Sequence, residues 1–252
     1  MNIIKKLQNQ ESVTLNFVGD SITNGEQHCS AEETYVAKVA ALLCRRFPEA
    51  TVYRYDGVYE TELHPIHAFS PVLVNLGDGE GEIHVVRNGV GGNTVLRAHK
   101  RIHNFTGVLP SGHSADVTLL MLGINDAIKS RADKYDPPKS YLAHYRALIE
   151  DIRSRDPDTE IVLITSSYNE SEHELDDYVG ATKVLAEQLS LPLIDLNALW
   201  LAHYDAEAEN YGQGDWLVGH GDACHFTPKS AEISARFIFD AMMEILTDSS
   251  EN

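Results

Sequence analysis

The sequence predicts an α/β fold built around a mostly parallel, doubly wound sheet, and two observations lead to this prediction. Short apolar runs alternate with segments of helical periodicity along most of the 252 residues, as they do in successive β-α-β units. The run 116–122 is almost continuously apolar, which is typical of a strand buried on both faces of a parallel sheet. The predicted strands span 13–18, 51–55, 83–86, 116–122, 161–164 and 191–196.

Helical periodicity predicts four longer helices between these strands. Apolar residues recur at helical spacing over 34–47, and Pro48 marks the end of that helix. A second helix begins near Ser140 behind a pair of prolines, a third spans about 178–189, and the last runs over about 229–246. On the last helix we expect four apolar residues to face inward: Ile233, Phe237, Ala241 and Ile245.

The stretch at about 56–82 interrupts the alternation. It contains Pro65, Pro71 and three glycines around a short apolar run, a composition that favours a hairpin or a long loop over a helix. Such an excursion serves as a lid, a binding loop or an interface, or is a plain surface feature. The sequence contains no repeat and no linker, so we expect 1–252 to form a single domain with this excursion.

Composition excludes several classes of function. The formal net charge is -18, whereas nucleic acids and anionic membrane surfaces are bound by basic faces, so neither is an expected partner. No segment approaches the roughly 20 apolar residues of a membrane helix, and no signal peptide is evident. The three cysteines, Cys29, Cys44 and Cys224, form no Cys-x-x-Cys pair. This usage favours reduced thiols in a cytoplasmic protein over a disulfide framework or a zinc site.

Three predicted strands end in turns rich in glycine, asparagine, aspartate or serine. These turns are 19–21 (Gly-Asp-Ser), 91–93 (Gly-Gly-Asn) and 123–126 (Gly-Ile-Asn-Asp). Because the carboxyl ends of parallel strands meet at one edge of a sheet, where open α/β folds bind their ligands, we expect the three turns to lie together. A fourth polar cluster, 221–228, precedes the last helix and supplies a histidine and a carboxylate.

These clusters contain the groups that acyl transfer requires. Ser21 becomes a nucleophile only when a base accepts its proton, and His225 is the best candidate for that base. Asp222, three residues earlier, is placed to hold the imidazole in one tautomer. The oxyanion formed by attack needs preorganised donors, and the Gly92 N–H, the Asn125 amide and the N–H of the nucleophile itself fit that role.

The four blocks, taken in order, resemble those of the SGNH hydrolases, also called the GDSL esterase/lipase family, over about residues 13–245. The resemblance implies a flavodoxin-like three-layer α/β/α sandwich and a mechanism without metal or organic cofactor. It also implies the site: Ser21 as nucleophile and oxyanion donor, Gly92 and Asn125 as further oxyanion donors, and Asp222 with His225 completing the triad.

Some assignments remain open at the level of sequence. The glycine turn offers Gly89, Gly91 and Gly92 as donors, and we choose Gly92 because a small polar pair follows it, as in the family. His220, Asp222 and His225 could instead bind a metal ion, but no distinct third site accompanies them. The glycine-flanked serine elbow of the α/β-hydrolases is absent, because Thr23 occupies the position of its second glycine.

The resulting hypothesis is a serine esterase that hydrolyses small acyl esters through an acyl-enzyme, with a small-molecule ester as substrate. No long apolar lid helix is evident, which weighs against a long-chain lipase. Removal of short acyl groups from carbohydrates is common in the family that the chain resembles, so an acylated sugar, and hence a carbohydrate O-deacetylase, is the first choice. A lysophospholipase or thioesterase is the enzymatic alternative, and a noncatalytic carbohydrate-binding protein on the same fold is the alternative from another class. Seven aromatic residues either line a sugar-stacking cleft or belong to the core: Tyr53, Tyr55, Tyr59, Trp200, Tyr204, Tyr211 and Trp216.

Overall fold

A seven-stranded, mostly parallel sheet forms the centre of the molecule. The computed structural model describes residues 3–58, 68–167, 175–206 and 224–248. The strand order is β3-β2-β4-β1-β5-β6-β7, and only β3 runs antiparallel to its neighbour. The strands are β1 (Val13–Gly19), β2 (Thr51–Val58), β3 (Ala68–Asn75), β4 (Glu82–Gly89), β5 (Val117–Met121), β6 (Glu160–Ile164) and β7 (Leu193–Ile194).

The helices pack in two groups against the sheet, so the protein is the α/β sandwich that the sequence predicts. One group contains α1, α3, α7 and α8, and the other contains α4, α5 and α6. Among these helices, none is long and apolar enough to cross a bilayer. The helices are α1 (Ile3–Gln8), α2 (Ser21–Asn24), α3 (Tyr35–Arg46), α4 (Val95–Lys100), α5 (Pro138–Arg155), α6 (Leu175–Leu189), α7 (Leu196–Ala206) and α8 (Pro228–Asp248).

The strand register brings the three polar turns to one edge of the sheet. The last residue of β1, Gly19, lies opposite Gly89 of β4 on one side and opposite Met121 of β5 on the other. The chain winds outward from β1 in one direction as far as β3, then returns through β4 and winds in the other direction from β5 to β7. The edge beside β1 is therefore the topological switch point, where such sheets form their ligand crevice.

The last strand is much shorter than predicted. We expect a strand over 191–196, but β7 contains two residues because Asp195 belongs to the start of α7. Its Oδ1 accepts hydrogen bonds from Ala198 N (3.2 Å) and from the Thr165 hydroxyl (3.0 Å). An aspartate that satisfies free N–H groups at a helix start ends the strand before it.

The buried face of α8 lies one residue further along the chain than the sequence predicts. Ile233, Phe237, Ala241 and Ile245 are only half-buried, whereas the residues that follow them, Ser234, Ile238, Met242 and Leu246, are fully buried. Serine was not counted in the apolar pattern, yet Ser234 faces the core because its Oγ accepts a hydrogen bond from Trp200 Nε1 at 2.9 Å. A small residue at this position also lets the tryptophan approach the helix closely.

Candidate active site

Ser21 is the first residue of α2, immediately after β1. Asp20 caps this one-turn helix, because its Oδ1 accepts a hydrogen bond from Ile22 N at 2.9 Å. Gly25 ends the helix with a left-handed φ of 81°, and its N–H donates to the carbonyl oxygens of Ile22 and Ser21. The serine is thus held by caps on both sides, at the switch-point edge of the sheet.

His225 reaches the serine from the other end of the chain. Its Nε2 lies 2.8 Å from Ser21 Oγ, within hydrogen-bond distance. The segment that holds the histidine is tied to the loop after α2, since the Cys29 thiol donates to the carbonyl oxygen of Phe226 at 3.3 Å. On the other side of the ring, Nδ1 lies 3.7 Å from Cys224 Sγ. Asp222, the predicted partner of Nδ1, lies outside the described residues.

The three glycines of the second turn occupy different surroundings. A Cβ added to Gly89 would lie 2.4 Å from Asn24 N, so this glycine lets β4 pack against the backbone of the serine turn. A Cβ on Gly91 would lie 2.4 Å from a carboxylate oxygen of Glu26. Gly92 has a left-handed φ of 65°, and a Cβ there would lie 2.7 Å from Lys134 Nζ. Each glycine therefore avoids a contact that a side chain would make.

Asn125 is buried beside this turn, and both ends of its amide are hydrogen bonded. Nδ2 donates to the backbone carbonyl of Asn93 at 3.1 Å, and Oδ1 accepts from Lys134 Nζ at 3.2 Å. The Asn93 side chain in turn donates to the carbonyl oxygen of Gly19 at 2.9 Å, which links this turn to the end of β1. The three polar turns thus form one hydrogen-bonded unit.

Two carboxyl groups are buried beneath the site. Asp126 is fully buried and accepts a hydrogen bond from Val95 N at 3.1 Å, at the start of α4. Burial raises the pKa of Asp126 and of Asp20 from 3.8 to about 7 in each case. A carboxyl group that has lost its hydration is stabilised in its neutral form, and each of these groups also accepts a hydrogen bond from a backbone N–H.

A buried ion network supports the serine turn from the side of β2. Arg87 in β4 donates to the carbonyl oxygen of Asn24 and, at 3.1 Å, to its side-chain oxygen. Asp56 in β2 holds Arg87 through a 2.8 Å ion pair. Asp56 also pairs with Arg54, whose side chain is 1% exposed and which forms a bidentate pair with Glu32. Asp56, the first residue of the predicted excursion, therefore helps to hold the serine turn in place through Arg87.

The structure brings Ser21, His225, Gly92 and Asn125 to the same edge of the sheet, and it leaves other predicted residues elsewhere. Trp200 is fully buried among the rings of Phe226 and Phe237, in the core. Tyr53 and Tyr55 are half-buried on β2, beside His84. The described residues contain no group of three or more metal-ligating side chains. Outside the described residues lie Tyr59, His220, Asp222, Tyr211 and Trp216, and the side chain of Tyr204.

Two polar residues of the site have no predicted role. In the sequence, Asn93 only supports the choice of Gly92, whereas in the structure its side chain and its carbonyl oxygen both join turns together. Lys134 lies nine residues beyond Asn125 in an irregular loop. No periodicity or strand end marks that position, and only the surplus of cations at 129–134 in an acidic chain would have drawn attention to it.

Several solved structures have the same fold. An acetyl xylan esterase aligns with 91% of this chain and 99% of its own, at 20% identity and a TM-score of 0.63. A catalytic mutant of an acetylxylan esterase from Geobacillus stearothermophilus aligns over 98% of this chain and 96% of its own, at 20% identity and a TM-score of 0.61. A two-domain esterase active on acetylated mannans aligns with 97% of this chain and 53% of its own, at 14% identity and a TM-score of 0.66.

The comparison of sequences gives a family but no individual relative. No curated protein matches the chain at a significant level. The model of the GDSL-like lipase/acylhydrolase family matches residues 17–233, which include the serine turn, both oxyanion candidates and His225. This match and the shared fold establish that the chain is a member of the GDSL-like lipase/acylhydrolase family.

Proposed function

We propose that this protein is a serine esterase that removes short acyl groups from carbohydrates. The 2.8 Å contact between His225 Nε2 and Ser21 Oγ is the observation that carries the proposal. A base within hydrogen-bond distance of a buried serine hydroxyl is the arrangement that nucleophilic catalysis requires. Membership of an acylhydrolase family supports ester hydrolysis as the reaction.

In the proposed mechanism, His225 accepts the Ser21 proton as Oγ attacks the ester carbonyl carbon. The tetrahedral anion receives hydrogen bonds from the N–H groups of Ser21 and Gly92 and from the Asn125 amide. His225 then protonates the departing alcohol, which leaves an acyl group on Ser21. Water activated by the same imidazole hydrolyses this acyl-enzyme. Asp222 is the proposed partner of His225 Nδ1, on the strength of the sequence alone.

The carbohydrate part of the proposal is supported by the similar structures. Two of those described above are acetyl xylan esterases, and a third is active on acetylated mannans. Acetyl groups on a polysaccharide are small esters that are exposed to solvent.

The test compares wild type with Ser21→Ala on two chromogenic esters and two polymers. We expect p-nitrophenyl acetate to be turned over much faster than the octanoate, and acetate to be released from acetylated xylan or mannan. Ser21→Ala should lose these activities by about a millionfold in kcat or to the detection limit. Fast octanoate turnover would favour a lysophospholipase or thioesterase. Sugar binding without turnover in either protein would favour the noncatalytic alternative.

A further inference from the structure

Lys134 is a cation in contact with the oxyanion site, and the mechanism above does not use it. Its Nζ donates to Asn125 Oδ1 at 3.2 Å and lies 2.7 Å from the position that a Cβ on Gly92 would occupy. The ammonium group therefore lies next to both Asn125 and Gly92, the two residues that are proposed to bind the oxyanion together with Ser21. Its side chain comes from the later part of the connection between β5 and α5, nine residues beyond Asn125.

The two partners of the Asn125 amide fix its orientation. Asn93 offers a carbonyl oxygen, which accepts only, and Lys134 offers an ammonium group, which donates only. If the amide rotated by half a turn, two oxygens would face each other at Asn93 and two nitrogens would face each other at Lys134. Nδ2 must therefore stay on the side of Asn93, where its second hydrogen remains available for the oxyanion.

The charge of Lys134 adds to this geometric effect. A hydrogen bond from an ammonium group is stronger than one from a neutral donor, and it draws electron density toward Oδ1, which makes the amide N–H groups better donors. Asn125 is 5% exposed, so an unpaired Oδ1 would carry the cost of a buried, unsatisfied acceptor.

Gly92 makes room for this contact. A Cβ at position 92 would lie 2.7 Å from Nζ, so the lysine would have to shift, and the left-handed φ of 65° disfavours any residue with a Cβ. Arg97 of α4 holds the same turn through a 3.3 Å hydrogen bond to the Gly92 carbonyl oxygen. The glycine of the second turn is thus explained by the approach of the lysine as well as by the approach of a substrate.

We infer that Lys134 is a positioning residue, which orients and polarises the Asn125 amide so that its Nδ2 donates to the oxyanion. The inference rests on the proposed esterase function. Lys134 is not assigned to an anionic group of the substrate, because its ammonium group is already engaged with Asn125. Lys134 acts on the transition state through Asn125, so the substrate does not need to carry a negative charge.

The experiment is a double-mutant cycle between positions 134 and 125, measured with p-nitrophenyl acetate. Lys134→Met should lower kcat about ten- to a hundredfold and leave KM within about twofold of wild type. In the Asn125→Ala background, the same change should cost less than about threefold, because the group through which Lys134 acts is gone. Lys134→Gln, whose amide can still donate to Oδ1, should retain more activity than Lys134→Met.

Arg131→Met and Arg131→Gln are the matched controls, since they remove a charge from the same loop at an exposed side chain that pairs with Asp133. Both should remain within about twofold of wild type in kcat. If Lys134→Met does not fold, Lys134→Gln against Arg131→Gln gives the same comparison.

Three results would overturn the inference while leaving Ser21-dependent turnover intact. In the first, the Lys134 and Arg131 variants have equal activity. In the second, Lys134→Met lowers kcat in the Asn125→Ala background as much as it does in wild type. In the third, Lys134→Met raises KM and leaves kcat unchanged. The last two would indicate direct contact of Lys134 with the substrate. Absence of Ser21-dependent turnover in wild type would remove the proposed function and this inference together.

Discussion

At the scale of single residues, the nucleophile turn depends on the absence of a side chain at Gly19. A Cβ there would lie 2.0 Å from Thr23 Oγ1 and 3.0 Å from the Met121 carbonyl oxygen. The Thr23 hydroxyl cannot move away freely, since it is buried and lies 2.9 Å from the Tyr35 hydroxyl. The glycine that marks this turn in the sequence is therefore a packing requirement at the end of β1.

We expect Gly19→Ala to lower the free energy of unfolding by about 1–3 kcal/mol, because the new methyl group forces Thr23 and the turn out of place. The displacement of Ser21 relative to His225 should reduce kcat by about a hundredfold. Urea unfolding and ester turnover measure the two effects.

Gly180→Ala is the control, because this glycine lies within α6 and an added Cβ would meet nothing within 4 Å. It should raise the free energy of unfolding by about 0.5–1 kcal/mol through the lower backbone entropy of alanine in the unfolded chain. Equal stabilities of the two variants would show that the turn accommodates the methyl group.

The residues of the site differ in how far the sequence reveals them. Ser21 and Asn125 follow strands directly, so the predicted topology alone places them near each other. Lys134 reaches Asn125 from an irregular loop, and its place there depends on how that loop packs over the sheet edge. Such a contact has no local signal in the sequence.

At the scale of elements, β2 and β4 support α2 through buried charges. Arg87 joins Asn24, at the end of α2, to Asp56 in β2. The side chains of Arg87 and Asp56 are 8% and 11% exposed. Removing Arg87 would leave the buried Asp56 carboxylate with Arg54 as its remaining cationic partner, and a buried charge that loses part of its compensation is costly.

We expect Arg87→Met to destabilise the protein by about 2–3 kcal/mol, since Asp56 keeps Arg54 but loses its second arginine partner, and the Asn24 carbonyl loses a donor. The serine turn should also loosen, so kcat should fall even under conditions where the variant is folded. Chemical unfolding followed by circular dichroism, with esterase assays below the transition, would measure both.

Arg236→Met removes an arginine of similar size from an exposed i,i+4 pair with Glu232 on α8. The cost should be below about 0.5 kcal/mol, because water compensates for the lost pair. If Arg87→Met cost no more than this control, the network would have no measurable part in supporting the turn.

The elements predicted best from the sequence are those in which nearly every buried position holds an apolar residue. The strand predicted over 116–122 is mostly apolar, and the structure places β5 within it, buried between β1 and β6. The buried face of α8 lies one residue beyond the predicted face, because Ser230 and Ser234 are buried and do not contribute to an apolar pattern. The helices α4 and α7 were not predicted: α4 is only six residues long, and α7 begins where Asp195 ends a strand pattern.

At the scale of the whole molecule, the two buried carboxyl groups link folding to pH. Asp20 and Asp126 each have a pKa raised from 3.8 to about 7, mainly by burial, and the charge of Asp20 raises the pKa of Asp126 further. Between about pH 4 and pH 7 the folded protein keeps protons that the unfolded chain has released. The contribution of these two groups to the free energy of unfolding therefore falls as the pH rises through this range.

We expect the two carboxyl groups to add stability from pH 7 to pH 5, by up to about 1.4 kcal/mol per pH unit for each group. Asp20→Asn should flatten this dependence, because its amide oxygen can still accept the hydrogen bond from Ile22 N but no proton is exchanged. Asp133→Asn should leave the slope between pH 5 and pH 7 unchanged, since that exposed carboxylate has a lowered pKa and titrates at more acidic pH. Urea unfolding at a series of pH values gives the three slopes. A wild-type slope equal to that of Asp20→Asn would mean that the Asp20 carboxylate stays ionised in the folded protein, with its charge compensated at the switch-point edge.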